Sequence, residues 1–198
     1  CEMCIRDRAD LLLSDAVLER WLEDAAAFAA AIRVAGIEAV RGARDVIFEG
    51  AQGLLLDQDR GFFPHVTRSN TGLRNVVALA EEAGIGALDV TYAARAYMTR
   101  HGAGPLPGEL PDQPYAGIRD DTNRPHRWQG SLRFALLDLD LLAGAVRADL
   151  SDASAGLRVS HGLMVSCLDQ IGAETARWIA DGAQRRGTAA TEGTETHG

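Results

Sequence analysis

The chain is poor in cysteine: its three, at 1, 4 and 167, form no even, spaced framework. That argues against a secreted fold stapled by disulfides and for a reducing compartment, the cytoplasm by default. No apolar run is long enough to cross a bilayer, so no membrane partner is expected. Basic runs and aromatic ladders are also missing. A net charge of -8 with a pI near 5.1 disfavours a broad nucleic-acid footprint, although single arginines still bind phosphates locally. There is no internal repeat and no interdomain linker. Cys1-Glu2-Met3-Cys4 has the form of a C-x-x-C pair, but no second Cys or His pair stands at metal spacing and no βαβ pattern succeeds it. Neither zinc nor redox chemistry is expected there. Residues 1–8 read unlike the rest of the chain and are set aside as a non-native scar.

What is present is a globular composition, 46% hydrophobic and 24% charged over 198 residues. That suffices for one good core or part of a larger one. Helical and strand patterns alternate, which indicates α/β. Ser14 is placed to cap a helix whose apolar positions Val17, Leu18, Trp21, Leu22, Ala25, Phe28, Ala29 and Ile32 keep helical spacing, with Gly36 as its stop and one face packed. Val46-Ile47-Phe48 reads as a buried strand, and Glu49-Gly50-Ala51-Gln52-Gly53 as the turn at its C-terminal end, the edge where open α/β sheets bind ligands. Glycines 50 and 53 allow close backbone approach or positive φ, and the Gln52 amide offers donors and an acceptor to a base edge.

Further along, the polar cluster Val66-Thr67-Arg68-Ser69-Asn70-Thr71 precedes a helix expected over 73–83 and closed by Gly84. An apolar strand over 87–99 runs into Arg100-His101-Gly102-Ala103-Gly104-Pro105, a glycine-rich turn, and then a loop over 104–114 too rich in proline for regular structure. The polar stretch Asp120 to Arg127 leads to a helix expected over 134–147, then a strand over 157–168 ending at Asp169. The loop over 102–127 is long enough to suggest a functional role. The end of the chain, 186–198, has no periodicity and is expected to be disordered.

FEGAQGLLLDQD, PHVTRSNT and AYMTRHGAGPLPGEL, in this order and spacing, resemble the adenylosuccinate synthetase family. A weaker match runs on through TNRPHR to Asp169, so the resemblance covers roughly 40–170. It implies the middle portion of a mainly parallel, helix-flanked sheet of P-loop NTPase-like type, with residues 9–185 as a partial domain. It also implies a GTP-dependent ligase joining L-aspartate to IMP, with Mg²⁺, a homodimer and a cytoplasmic location. In the family, IMP O6 is first phosphorylated by the γ-phosphate, and the aspartate amine then displaces that phosphate. Such chemistry depends on positioning and charge neutralisation.

The resemblance also assigns residues. Gln52 matches the contact to the IMP base; the alternative is a turn glutamine capping nearby backbone. Thr67 matches a threonine at the IMP phosphate, against ordinary helix capping. Gly102 matches a glycine along the ribose, against a bare turn. Thr122 and Arg124 match a loop that closes over aspartate, the arginine also reaching the ribose, against a solvated surface arginine. His126 stands where the family has an arginine contacting aspartate and triphosphate, which is a departure. Asp169 matches the aspartate that binds the guanine edge, but Ser166-Cys167-Leu168-Asp169 lacks the lysine of the family pattern Thr-Lys-Leu-Asp. That change, and WQGSLR where the family has Gly-Trp, resemble short archaeal and phage-type members. Phage enzymes of this group use dGMP with ATP to make 2-aminoadenylosuccinate, an alternative substrate pair.

The family's N-terminal phosphate loop, which carries the catalytic aspartate and a lysine, and its phosphoryl-stabilising histidine have no counterpart in this sequence. Nor does the segment that completes the guanine pocket. The chain is therefore expected to be a fragment, inactive alone, with no catalytic residue and no metal ligand of its own. A non-catalytic nucleotide-binding module is the alternative of a different class.

Overall fold

The computed structural model describes residues 13–120, 123, 125, 127 and 130–187. They divide into two compact units, 1–44 and 45–198. The expected scar, and all but the first two residues of the expected tail, lie outside the described residues.

The first unit contains helix α1, Asp15–Ala31, and the short α2, Glu38–Arg41. Ser14 stands at the α1 N-cap in extended conformation, yet its side chain makes no capping bond. The helix ends at Ala31, ahead of Gly36. Its apolar stripe was expected to be packed, but none of its residues is buried, and Trp21 is 64% exposed. Amphipathic spacing predicted the helix correctly; it does not by itself supply a surface to cover the stripe.

In the second unit, α3 spans Leu73–Ala83. Leu73, Val77 and Ala80 recur at helical spacing and are buried, and Gly84 ends the helix at φ 75°, with the Ile85 amide returning to the Ala80 carbonyl at 2.8 Å. This helix covers one face of β1 (Ala87–Arg95), where Leu88 and Val90 pack beside Val159 and the buried Leu157. β1 pairs in parallel with β5 (Arg158–Ser166), in register from Ala87 opposite Arg158 to Arg95 opposite Ser166. The parallel sheet flanked by helices agrees with the α/β expectation.

The strand expected over 87–99 is two strands. Fully buried Ala96 ends β1, its amide bonded to the Ser166 carbonyl at 3.0 Å, and β2 (Tyr97–Arg100) enters a second, antiparallel sheet. There β4 (Arg133–Leu136) lies between β2 and the two-residue β3 (Glu109–Leu110). So Phe134, expected to open a helix, is in a strand, and the proline-rich loop contains a short one. The helix of that region, α4, is Leu139–Leu150; the Asp138 side chain caps it by accepting the Asp140 and Leu141 amides at 3.0 and 2.9 Å, a cap worth about 1 kcal/mol. A last helix, α5 (Ala173–Arg185), was not expected. Ile179 from α5 and Leu139 from α4 join Ala96, Tyr97, Ile118 and Leu137 in one core.

The expected strand at 46–48 does not form. Residues 46–48 take no ladder position and Ile47 is 91% exposed. An apolar triplet becomes a strand only beside another strand's free edge.

Candidate nucleotide site

The Gln52 turn opens a folded loop that runs to α3. Gln52 itself is exposed. Gly53 has φ -71°, and neither Gly50 nor Gly53 takes positive φ, so the conformational reason for these glycines falls away. Close approach does not require them either: a Cβ on Gly50 would make only an ordinary contact, 3.7 Å from the Thr71 carbonyl oxygen, and one on Gly53 would meet nothing within 4 Å. After one 3-10 turn, Leu54–Leu56, the chain doubles back along itself. The Thr67 amide donates to the Leu56 carbonyl at 2.7 Å, Gln58 N–H to Ser69 O at 3.1 Å, and the Thr71 hydroxyl to Gly53 O at 3.1 Å. Gln52 and Thr67 are thus held in one loop.

Two carboxylates hold that loop, Asp57 from within and Asp149 by tying it to α3 and β1. Asp57, 4% exposed, accepts the amides of Asp59 at 2.9 Å and Thr71 at 2.8 Å. Burial alone would raise its pKa, but these bonds to the charged form outweigh it and hold it below the usual 3.8. Asp149, 1% exposed, accepts the Leu73 amide at 2.9 Å, the Tyr92 hydroxyl at 2.8 Å and Arg60 Nη1 at 3.2 Å. Burial and this carboxylate together push the Tyr92 phenol strongly up. Arg60 also bonds Asp152 at 2.7 Å, and Arg74 pairs with Asp59 at 2.6 Å.

This arrangement changes the reading of Thr67. The polar cluster was expected to gather an anion at the α3 N-terminus, but Asp149 already occupies the Leu73 N–H there. The first amide of the helix is therefore not available to a ligand.

The glycine-rich turn after β2 stands beside this loop. Arg100 Nη2 donates to the His65 carbonyl at 2.9 Å and Nε to the Ala103 carbonyl at 3.2 Å, bridging the Thr67 segment and the Gly102 turn. Gly102 and Gly104 have φ 68° and 110°. A Cβ on Gly104 would also meet His65 at 2.6 Å, so glycine is required there twice over. His101 Nε2 lies 2.6 Å from Asn123 Oδ1, tying the turn to the polar stretch expected to form a lid. Thr122, Arg124 and His126 themselves lie outside the described residues.

Asp169 is exposed on the 3-10 turn Leu168–Gln170, at the C-terminal end of β5. Its turn is tied to the core by Tyr97 of β2, whose hydroxyl donates to Gln170 Oε1 at 2.6 Å. Cys167 precedes it at φ 61° and packs partly buried against the core. Sequence reasoning missed Arg60, Arg100, Arg133 and Asp149. Arg100 and Arg133 lay inside stretches already singled out, AYMTRHGAGPLPGEL and WQGSLR, without being given a role, whereas Arg60 and Asp149 act across separations of 57 to 92 residues that no local pattern reports.

A family model described as adenylosuccinate synthetase matches residues 14–157. The chain belongs to the adenylosuccinate synthetase family. Adenylosuccinate synthetases of Stenotrophomonas maltophilia (strain R551-3), Xylella fastidiosa (strain 9a5c) and Xanthomonas campestris pv. campestris (strain B100) are similar to it. The first is 41% identical over 134 residues, 59% of this chain and 30% of the relative. The other two are 46% and 47% identical over 92 residues, 41% of this chain and 21% of each relative. The chain therefore spans under a third of the length of these adenylosuccinate synthetases. The family match begins within α1's N-cap and ends before β5, so it takes in Gln52, Thr67, Gly102, Thr122, Arg124 and His126 but not Asp169.

The family is a ligase family of purine biosynthesis. For Mg²⁺, the described residues bring together no group of three or more His, Cys, Asp or Glu side chains suited to a metal ion. Among the described residues the neighbouring carboxylates Asp57, Asp59, Asp149 and Asp152 are engaged by arginines and backbone amides. These residues do not fit a magnesium site. Among the described residues no helix is long and apolar enough to cross a membrane.

Proposed function

We propose that this chain contributes the IMP-binding segment of a GTP-dependent ligase that joins L-aspartate to IMP, giving adenylosuccinate through 6-phosphoryl-IMP. The reading rests above all on Arg100, whose guanidinium joins the loop carrying Gln52 and Thr67 to the Gly102 turn. In this reading Gln52 contacts the base near the reacting carbon, the Thr67 hydroxyl donates to the phosphate, and Gly102 lies along the ribose. Thr122, Arg124 and His126 belong to the loop that closes over aspartate, Arg124 bridging its carboxylate and the ribose. Asp169 takes the guanine edge of the triphosphate. Phosphoryl transfer demands positioned charge, and neither a general base nor a Mg²⁺ ligand set is assigned to the described residues. Homodimer formation belongs to the same proposal.

Titration of the chain with IMP, GMP, dGMP and AMP is the direct test. IMP should bind best, and Gln52→Ala should weaken it. Equal, Gln52-independent binding of all four would reject the assignment. A second reading, dGMP with ATP, is favoured by one observation. Cys167 packs partly buried against the core where the family pattern has a lysine, so no aliphatic cation covers the base bound at Asp169. Preference for dGMP in the same titration would select it. A non-catalytic nucleotide-binding module would bind IMP yet give no succinyl-purine from aspartate and GTP when the chain is joined to the remaining family segments.

A further inference from the structure

Among the described residues the turn 102–104 is held through its carbonyls. Its three consecutive carbonyls all accept from guanidinium groups: Gly102 O and Gly104 O from Arg133 Nη1 at 2.9 and 2.8 Å, and Ala103 O from Arg100 Nε at 3.2 Å. Arg133 is in turn gripped by Glu109, Nε to Oε1 at 2.7 Å and Nη2 to Oε2. The two residues come from β4 and β3, neighbouring strands of the antiparallel sheet, so the clamp stands on regular structure. The amides of Gly102, Ala103 and Gly104, by contrast, donate to no other described residue. With the carbonyls engaged, the hydrogen-bonding groups that the turn has left to offer are N–H donors. Such donors suit the oxygens of a ribose or phosphate.

We propose that Arg133 is a positioning residue of the nucleotide site, fixing the 102–104 turn in the form that leaves its amides to the nucleotide. The inference rests on the IMP-binding reading above and adds a residue that the family resemblance does not assign. A surface ion pair between Arg133 and Glu109 alone would contribute little. What distinguishes this one is that Nη1 spans the carbonyls on either side of Ala103 while Nε and Nη2 hold the Glu109 carboxylate, a combination that needs the planar fork and that a single ammonium nitrogen cannot reproduce. The chain contains no lysine, so Arg133→Lys introduces a unique ammonium.

The test is an amide-resolved NMR titration of the whole chain with IMP, for the unsubstituted protein and for Arg133→Lys, Arg133→Gln and Glu109→Gln. Without ligand, the variants should shift the Gly102, Ala103 and Gly104 amides while α4 and α5 signals stay in place. IMP should perturb the same three amides in the unsubstituted chain. Both Arg133 variants should weaken IMP about tenfold, the scale of a lost charged hydrogen bond, and lysine should not rescue. Glu109→Gln, at a partly exposed position, should fall between and guards against a folding failure at 133. Unchanged IMP affinity in Arg133→Gln, or full rescue by lysine, would overturn the proposal while sparing the nucleotide site. Absence of IMP binding by the unsubstituted chain would instead overturn the site reading, and this inference with it.

Discussion

Asp149, near the end of α4, caps a helix that begins 76 residues earlier: its Oδ1 accepts the Leu73 amide at 2.9 Å. The approach is so close that a Cβ on Gly72 would stand 1.8 Å from the same oxygen. Asp149→Ala leaves the Leu73 amide, the Tyr92 hydroxyl and Arg60 without their shared acceptor. It should lower unfolding free energy by about 2–4 kcal/mol, a buried pair broken at one end with its partner still part-exposed. Gly72→Ala should cost a similar amount by displacing the carboxylate. Urea unfolding of the two single variants and the double variant measures this, and the double should cost clearly less than the sum.

Gln52 is exposed, and its side chain makes no hydrogen bond with any described residue. Gln52→Ala should therefore leave the urea midpoint essentially unchanged, within about 0.5 kcal/mol, while reducing IMP affinity. A destabilised variant would point to the turn-capping role instead.

Thr67 has two separable groups. Its amide holds Leu56, whereas its hydroxyl is the group proposed to meet the phosphate. Thr67→Val keeps the first and removes the second, so affinity for IMP should fall about tenfold while any affinity for inosine stays the same. Calorimetric titration with both ligands distinguishes a phosphate contact from loop structure, because a loop defect would weaken both.

Asp57 should make the loop sensitive to acid. Its pKa is depressed in the folded chain by the Asp59 and Thr71 amides. Its contribution is therefore complete above the ordinary value of 3.8 and is lost as pH falls through the lower folded value. Stability measured from pH 6 to pH 2 should drop more steeply below about 4 for the unsubstituted chain than for Asp57→Asn. Parallel curves would show that another carboxylate sets the acid limb.

Local signals served where one segment determined its own structure. Leu73, Val77 and Ala80 at helical spacing, closed by Gly84, gave α3 to the residue, and the glycine-rich turn after β2 was visible for the same reason. They failed where a partner decides. Phe134 to Leu136 is apolar and runs on toward an amphipathic helix; it falls in β4 because β2 and β3 supply edges from distant segments. Val46 to Phe48 has equal strand propensity and no such neighbour. The site obeyed the same rule. Gln52, Thr67 and Gly102 stood in recognisable motifs, while Arg133 and Asp149 acquire their roles only from what folding brings next to them.

Ala96 sets a limit on any attempt to rebuild this protein. One unbroken run of backbone serves the parallel pair up to Arg95 and the antiparallel sheet from Tyr97, with a methyl group fully enclosed at the join. The two sheets are in effect a single casting. A split, a circular permutation or a grafted segment placed between them would cut both at once, so workable seams must be sought in the connections on either side, and a side chain larger than alanine at 96 would have to displace the core packed around it.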